Sequence, residues 1–132
     1  MALNVPDVGE NLVLEMIVNK TAPQNLVLKL YKNNITPSDT DTASTYTEAT
    51  FGGYTAITLT GASWNAASSG TIAYSAQQTF TCNATATDDI YGYYVVQASS
   101  GTLVYSERDA SAPFAVRSSG DAIKITPTIS AN

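Results

Sequence analysis

The chain has 132 residues, of which 44% are hydrophobic and only 13% are charged, and it contains no histidine. This length predicts a single domain over residues 1–132 with a real hydrophobic core, and the hydrophobic content argues against a disordered chain. The net charge is −5 and the six basic residues are scattered, which argues against binding to nucleic-acid phosphates or to an anionic membrane surface.

The N-terminal segment predicts a helix over residues 7–19. Its apolar residues recur at helical spacings and form one apolar face, while Asp7 is placed to cap the helix and Asn19 to end it. The continuous apolar run "LVLEMIV" over residues 12–18 makes a strand the alternative. The first ten residues show no basic start and no long apolar stretch, so no secretion signal is expected. The buried face of the helix is expected to contain Leu12, Met16 and Ile17.

From residue 26 onward the hydrophobic period changes to two, which indicates β-strands. The segment 71–84 is either one long bent strand or two short ones, and Pro127 places the last strand at a sheet edge or ends it there. The polar segment "NNITPSDTDTASTYTE" over residues 33–48 is predicted to be a mobile loop. Strands are predicted over residues 26–33, 54–60, 71–84, 91–98, 102–107 and 121–129.

These elements predict a mainly β fold, a small antiparallel β-sandwich or barrel with one N-terminal amphipathic helix. Cys82 cannot form an internal disulfide because it is the single cysteine, and it is expected to be a small buried group on a strand. The rest of the core is expected to contain Leu28, Leu30, Ile57, Leu59, Ile72, Phe80, Val95, Leu103 and Ile125.

The strand within "YGYYVVQASSGTLVYSE", residues 91–107, is apolar on both faces. Alternation places Tyr91, Tyr93 and Val95 on one face, toward the core, and Tyr94 and Val96 on the other. Because a strand with one solvated face does not need this pattern, the second face is expected to meet the helix, a second sheet or a neighbouring subunit.

The residues that usually perform catalysis or bind metals are scarce. Without histidine the chain cannot build a Ser-His-Asp triad or an ordinary zinc site, so no catalytic residue and no cofactor is predicted. Asp39 and Asp41, with Glu48 as a third candidate, carry oxygen ligands of the kind that calcium prefers, but their spacing is not that of an EF-hand. Aspartates that stabilise turns are therefore favoured over a metal site.

The eight tyrosines and Trp64 fit either a sugar-binding face or a core with a subunit interface. Most of the tyrosines occupy strand positions, which favours the core and the interface. Scarce charge also allows large parts of the surface to lose water at low cost. The candidate interface anchors are Trp64, Tyr91, Tyr94, Tyr105 and Arg108.

Four longer segments carry a family resemblance: "VPDVGENLVLEMIVNKTAPQNLVLKLYKNNITPSDTD", "YTEATFGGYTAITLTGASW", "YGYYVV" with "SGTLVYSER", and "GDAIKITPTI". Their most specific parts are "VGE", "LKLYKN", "TLTGASW" and "YGYYVV" with "SGTLVYSER". Over almost its whole length the chain resembles a family of small, β-rich virion proteins encoded by tailed bacteriophages.

The resemblance implies a non-enzymatic structural protein of the particle, made in the host cytoplasm. A capsid decoration or cement protein is favoured, on the capsid surface and bound to the major capsid protein as a symmetric homo-oligomer. By analogy with such proteins, the oligomer is expected to be a trimer. The alternative is a tail, neck or fibre-associated component, with a receptor-recognition tip that binds glycans through tyrosine and tryptophan.

Overall fold

A computed structural model describes residues 3–131 and confirms a mainly β fold with one N-terminal helix and antiparallel sheets. The elements are β1 (Leu3–Asn4), α1 (Asp7–Ile17), β2 (Leu26–Tyr31), β3 (Ile57–Leu59), β4 (Thr71–Ala73), β5 (Gln78–Thr81), β6 (Asp89–Ile90), β7 (Gly92–Gln97), β8 (Leu103–Arg108), β9 (Phe114–Ala115), β10 (Ala122–Ile125) and β11 (Thr128–Ser130).

The main sheet has five strands in the order β1-β8-β7-β2-β3, and it does not close into a barrel within residues 3–131. The other strands form three two-stranded ribbons, β5 with β10, β4 with β11, and β6 with β9. The segment 71–84 is therefore two short strands in separate ribbons. The last predicted strand is divided into β10 and β11 on either side of Pro127, which has no N–H to donate to a ladder.

Helix α1 is present where the helical period predicted it, and the alternative of a strand is excluded. Asn19, with φ of 60°, lies in the left-handed conformation that ends a helix. Asp7 makes no side-chain cap, although its backbone N–H donates to the carbonyl oxygen of Asp39 at 2.8 Å.

The predicted buried face of α1 is correct for Leu12, and Met16 is partly buried, but Ile17 is 73% exposed. The expectation for Ile17 was wrong because the helix docks through Gly9 and Leu12. Ile17 follows Leu12 by five positions, which turns it about 140° away from that contact.

The main hydrophobic core is built from side chains of the five-stranded sheet, of α1 and of the ribbons with their flanking loops. Cys82 is buried there as expected, but it directly follows β5 and does not lie on the strand. Ile57 and Ile125 are half-buried against the core, whereas Ile72 is half-buried in the β4/β11 ribbon opposite Ile129. The predicted core residues that are fully buried are Leu28, Leu30, Leu59, Phe80, Val95 and Leu103.

Both faces of β7 are covered within the same chain. Tyr93 and Val95 belong to the main core, and Tyr94 and Val96 belong to a second cluster. Tyr91 packs against the second cluster, so the expectation that it shares a face with Tyr93 was wrong. The reason is that Tyr91 lies between β6 and β7, where the regular alternation of a strand is interrupted.

The segment 33–48, predicted to be mobile, covers the second face of β7. Ile35 and Ala43 pack against the second cluster, and Tyr46 is one of its buried members. The ring of Tyr46 stacks on that of Tyr94, with centroids 4.9 Å apart. The sequence did not indicate these contacts, because the three residues are scattered in a mostly polar segment. Their packing attaches the segment to the sheet.

A buried network of hydrogen bonds joins this segment to β8. The Tyr46 hydroxyl donates to Asp41 Oδ2 at 2.7 Å and lies 2.8 Å from Ser106 Oγ. The backbone N–H and the hydroxyl of Ser38 also donate to the Asp41 carboxylate, both at 2.9 Å. The network therefore satisfies the buried carboxylate of Asp41 and the buried hydroxyl of Ser106.

Tyr46→Phe is expected to lower the free energy of unfolding by about 1–3 kcal/mol, because the buried Ser106 hydroxyl loses its partner and the buried Asp41 carboxylate loses one of its hydrogen bonds. The control is Tyr31→Phe in the same cluster. Within residues 3–131 the buried Tyr31 hydroxyl has no hydrogen-bond partner, so its removal is expected to be neutral or stabilising. Urea unfolding of both variants measures the difference, and equal effects would contradict this role for Tyr46.

Gly9→Ala is expected to destabilise the protein even though alanine favours a helix by about 1 kcal/mol over glycine. A Cβ at Gly9 would collide with the carbonyl oxygen of Val104 in β8, and α1 would have to move away from the sheet. Such overpacking costs about 1–3 kcal/mol or more. Gly61→Ala is the control in urea unfolding, since a Cβ there meets no atom within 4 Å. A Gly9→Ala variant as stable as the parent would show that the helix does not need this close approach.

Candidate assembly surface

Two of the five candidate anchors, Tyr94 and Tyr105, are buried in the protein's own core. Tyr94 is 4% exposed and Tyr105 is fully buried, with its ring edge-on to that of Tyr93. Burial raises the pKa of Tyr94 to about 12. Neither ring is available to a partner, which corrects the expectation for both residues, because they lie on the two central strands β7 and β8.

Tyr91 and Arg108 form a pair at the border of the second cluster. The Arg108 guanidinium lies 5.1 Å from the centroid of the Tyr91 ring, within the range of a cation–π contact. Arg108 Nη1 also donates to the carbonyl oxygen of Ile35 at 2.8 Å. Both side chains are half-buried. Through the hydrogen bond to Ile35, Arg108 connects the segment 33–48 to the end of β8.

Trp64 lies at a separate site, beside α1. Its half-buried ring packs edge-on against Tyr74 with centroids 5.2 Å apart. It also lines a mostly apolar cavity of about 310 Å³ together with Leu12, Met16 and Leu26. The five candidates therefore do not converge on one surface.

A continuous apolar surface is present on the outer side of α1. The exposed fractions of its four side chains are 41% for Val13, 62% for Leu14, 73% for Ile17 and 72% for Val18. These residues are here named the α1 stripe. Val13, Leu14 and Ile17 lie on one side of the helix, and Val18 directly follows its last residue. The other large hydrophobic side chain exposed within residues 3–131 is Phe114.

Sequence reasoning missed the α1 stripe, although the sequence contains a signal for it. The run "LVLEMIV" over residues 12–18 has six apolar residues out of seven, more than a helix with one buried face requires. The prediction placed the run on one buried face of the helix and did not account for its additional apolar residues, which are exposed.

An open groove of about 740 Å³ borders the N-terminal half of the α1 stripe. This groove, here named the β1 groove, lies between α1, β1 and β11. Its acidic residues are Glu10 and Asp39. Its apolar residues are Leu3, Val5, Val13, Leu14 and Ile129. The stripe and the groove together form an apolar surface with an acidic rim.

The acidic residues considered for calcium do not share a site. Asp41 is committed to the buried network, whereas Glu48 accepts hydrogen bonds from Lys29 at 3.3 Å and from the Tyr54 hydroxyl at 3.0 Å. Asp39 is exposed on the rim of the β1 groove. In the part of the chain that the structure describes, no group of three or more Cys, Asp or Glu side chains is arranged to hold a metal ion.

The adjacent Asp88 and Asp89 are also engaged separately. Asp88 forms an ion pair with Lys32 at 3.4 Å, and its Oδ2 accepts the backbone N–H of Thr50 at 2.8 Å. Asp89 forms an ion pair with Arg117 at 2.6 Å. Both carboxylates therefore join the β6/β9 region to neighbouring segments.

A small cleft of about 200 Å³ with a mixed polar and apolar lining lies beside β7 and includes Tyr93, Glu107, Asp109 and Lys124. Burial, with smaller effects of Tyr105 and Glu107, raises the pKa of Tyr93 far above its usual value. Its phenol is therefore even less ready to ionise than that of an exposed tyrosine.

No protein-family model matches this chain, and no curated protein matches it significantly. Within residues 3–131, no helix is long and apolar enough to cross a membrane. The α1 stripe with the β1 groove is therefore the candidate functional site, on the evidence of its geometry.

Thermal melts with and without a chelator are expected to coincide. The reason is that the Asp41 carboxylate is already satisfied by Ser38 and Tyr46, so the segment 33–48 does not depend on a cation for its fold. Differential scanning fluorimetry with EDTA, and with added calcium as the reverse condition, measures this. A melting temperature that falls by many degrees with EDTA would assign a structural metal to this segment.

Proposed function

We propose that this protein is a non-enzymatic structural subunit of a tailed-phage virion, a decoration or cement protein that binds the major capsid shell as a symmetric oligomer. The observation that carries the proposal is the exposed apolar α1 stripe beside the β1 groove. The sequence resemblance supports a place in a phage particle. The α1 stripe and the β1 groove support binding to another protein of that particle.

Exposure of the α1 stripe to water is unfavourable in free energy. Fully burying one valine, leucine or isoleucine side chain stabilises by about 1.5–3 kcal/mol, so the stripe and the groove walls offer several kcal/mol to a partner that covers them. Clustered apolar surface of this kind marks interaction sites in soluble proteins. The stripe also has few contacts to lose within its own chain, so its residues are suited to a role outside the monomer.

The carboxylates support binding over catalysis. Asp41, Glu48, Asp88 and Asp89 each have a hydrogen-bond or ion-pair partner within the chain. In the same proposal, the five-stranded sheet and the ribbons are the two layers of an open β-sandwich, which is supported by the side chains that both contribute to the main core. Such a layered body is a rigid support on which a surface helix can be presented.

A second candidate is a tail, neck or fibre-associated protein that recognises glycans. The half-buried Trp64 favours it, since the ring borders a cavity whose lining also includes Gln24 and Gln97. An aromatic face with nearby amides is a common arrangement for stacking on a sugar and bonding its hydroxyls. A glycan array with the parent and Trp64→Ala tests it, and specific binding that the variant loses would favour the tail role.

Adding purified protein to capsids that lack it is expected to restore a stoichiometric shell of hundreds of copies per particle. Ile17→Lys is expected to weaken this binding at least tenfold, because it places a charge in the apolar surface through which the subunits of the capsid-binding oligomer would assemble. Phe114→Lys, on the β6/β9 ribbon, is the matched control. Co-sedimentation with the capsids followed by quantitative mass spectrometry gives both the affinity and the copy number.

One outcome would contradict the decoration role, and another would contradict the choice of the α1 stripe as its surface. If the protein never binds capsids and is found at the tail of the intact particle in a few tens of copies, the tail candidate remains. If Ile17→Lys binds capsids as tightly as the parent, the α1 stripe is not the surface that carries the function. Urea unfolding of the variant excludes loss of the fold as the cause of weaker binding.

A further inference from the structure

We infer that the α1 stripe is covered by the same stripe of a second copy of this chain, packed antiparallel about a twofold axis between Val13 and Leu14. The inference rests on the proposed function only because both treat the α1 stripe as an assembly surface, and it adds the identity of the partner. Its two supports are the complementary shapes at the two ends of α1 and the positions of the charged residues along the helix.

The shape of the surface is self-complementary. Ile17 and Val18 protrude at the C-terminal end, with 73% and 72% of their surface exposed. The β1 groove opens at the other end, beside Glu10 and Val13. A twofold axis midway between these ends places the protruding side chains of each copy at the groove of the other. This is the relation that an isologous interface requires, in which one patch serves both partners.

The charges along α1 favour the antiparallel direction. Asp7 and Glu10 lie in the first turn, while Lys20 follows the last turn with 72% of its side chain exposed. The partner of Lys20 within the chain is Glu15, at 3.8 Å in an exposed pair of the kind that contributes little. Antiparallel packing places Lys20 near the acidic first turn of the second copy, and it also opposes the two helix dipoles. Parallel packing would place the two acidic first turns side by side.

The net charge of −5 on each copy opposes association, but salt limits this effect. At physiological ionic strength, charges are screened beyond about 8 Å, so the charges that border the stripe matter most. The helix alone is short, since 11 residues span about 16 Å. The walls of the β1 groove extend the contact toward the roughly 800 Å² per partner that stable interfaces bury.

A twofold pairing gives a dimer, or a larger assembly built from dimers. This differs from the trimer implied by analogy with decoration proteins. The mass of the isolated protein therefore separates the two arrangements before any capsid is present.

The first experiment is sedimentation equilibrium of the full chain over a range of concentrations. The expected species has twice the 13.9 kDa mass of the chain. Ile17→Lys is expected to raise the dissociation constant at least tenfold, whereas Phe114→Lys leaves it unchanged. A protein that stays monomeric up to its solubility limit, or that forms a trimer, overturns the inference.

The second experiment exchanges charges across the expected interface. Glu10→Lys and Lys20→Glu should each weaken the dimer, by about twofold to tenfold, and the double variant should recover most of the loss. Lys124→Glu makes the same change in charge on β10 and should have little effect. If the double variant is as weak as the two losses combined, the antiparallel pairing is wrong.

The third experiment tests direction through disulfide trapping. Leu14→Cys lies next to the axis and should cross-link to its own copy under mild oxidation, whereas the native Cys82 is buried and should not. Two copies of Ile17→Cys should not cross-link to each other, because their Cα atoms would lie about 10 Å apart along the axis, beyond the roughly 7 Å limit. A mixture of Glu10→Cys and Ile17→Cys should cross-link. Self-cross-linking of Ile17→Cys would show a parallel pair and overturn the inference.

These readouts separate the inference from the proposed function. A monomeric protein that still binds capsids removes the inference and leaves the decoration role in place. A dimer with the expected cross-links that never binds capsids supports the inference and removes the decoration role.

Discussion

The structure depends on the removal of water from both faces of β7, because all six residues of this strand are buried. The ribbons cover the face with Tyr93 and Val95, and the segment 33–48 covers the other face. The first residue of the strand must be glycine, since a Cβ at Gly92 would collide with the carbonyl oxygen of Glu107 and approach the ring of Tyr31. A polar segment such as 33–48 can cover an apolar face of a strand only if the polar groups that it buries there form hydrogen bonds.

The network of Asp41, Tyr46 and Ser106 meets that condition. A buried carboxylate without partners would be strongly unfavourable, but Asp41 accepts hydrogen bonds from Tyr46 and from two groups of Ser38. The Tyr46 ring also stacks on Tyr94, so one side chain supplies both the apolar cover and the polar contact. The neighbouring Tyr31 hydroxyl lacks a partner within residues 3–131, and burial raises its pKa to about 12.

The sequence predicted the elements whose signals are local. Helix α1, strand β2 and the β7–β8 hairpin follow from hydrophobic periods that a short window contains. The covering of β7 by the segment 33–48 depends on three apolar residues scattered among hydroxyl side chains, and no local pattern links them to a distant strand. The burial of Tyr105 could not be separated from an interface role, because core and interface favour the same aromatic side chains. Ile17 was assigned to the wrong face because periodicity gives the apolar positions, whereas the close approach at Gly9 decides which of them dock.

Helix α1 therefore has two apolar faces, one buried against β8 and one exposed. Gly9 and Leu12 attach the helix to β8, and a substitution there must change the stability of the monomer. Leu14 and Ile17 are mostly exposed, so a substitution there leaves the core intact, and in the proposed dimer it would weaken association. In that dimer, the low total charge would lower the cost of dehydrating the stripe, and the net charge of −5 would oppose contacts between copies in other directions. The proposal therefore separates folding from assembly, because each would depend on a different face of an 11-residue helix.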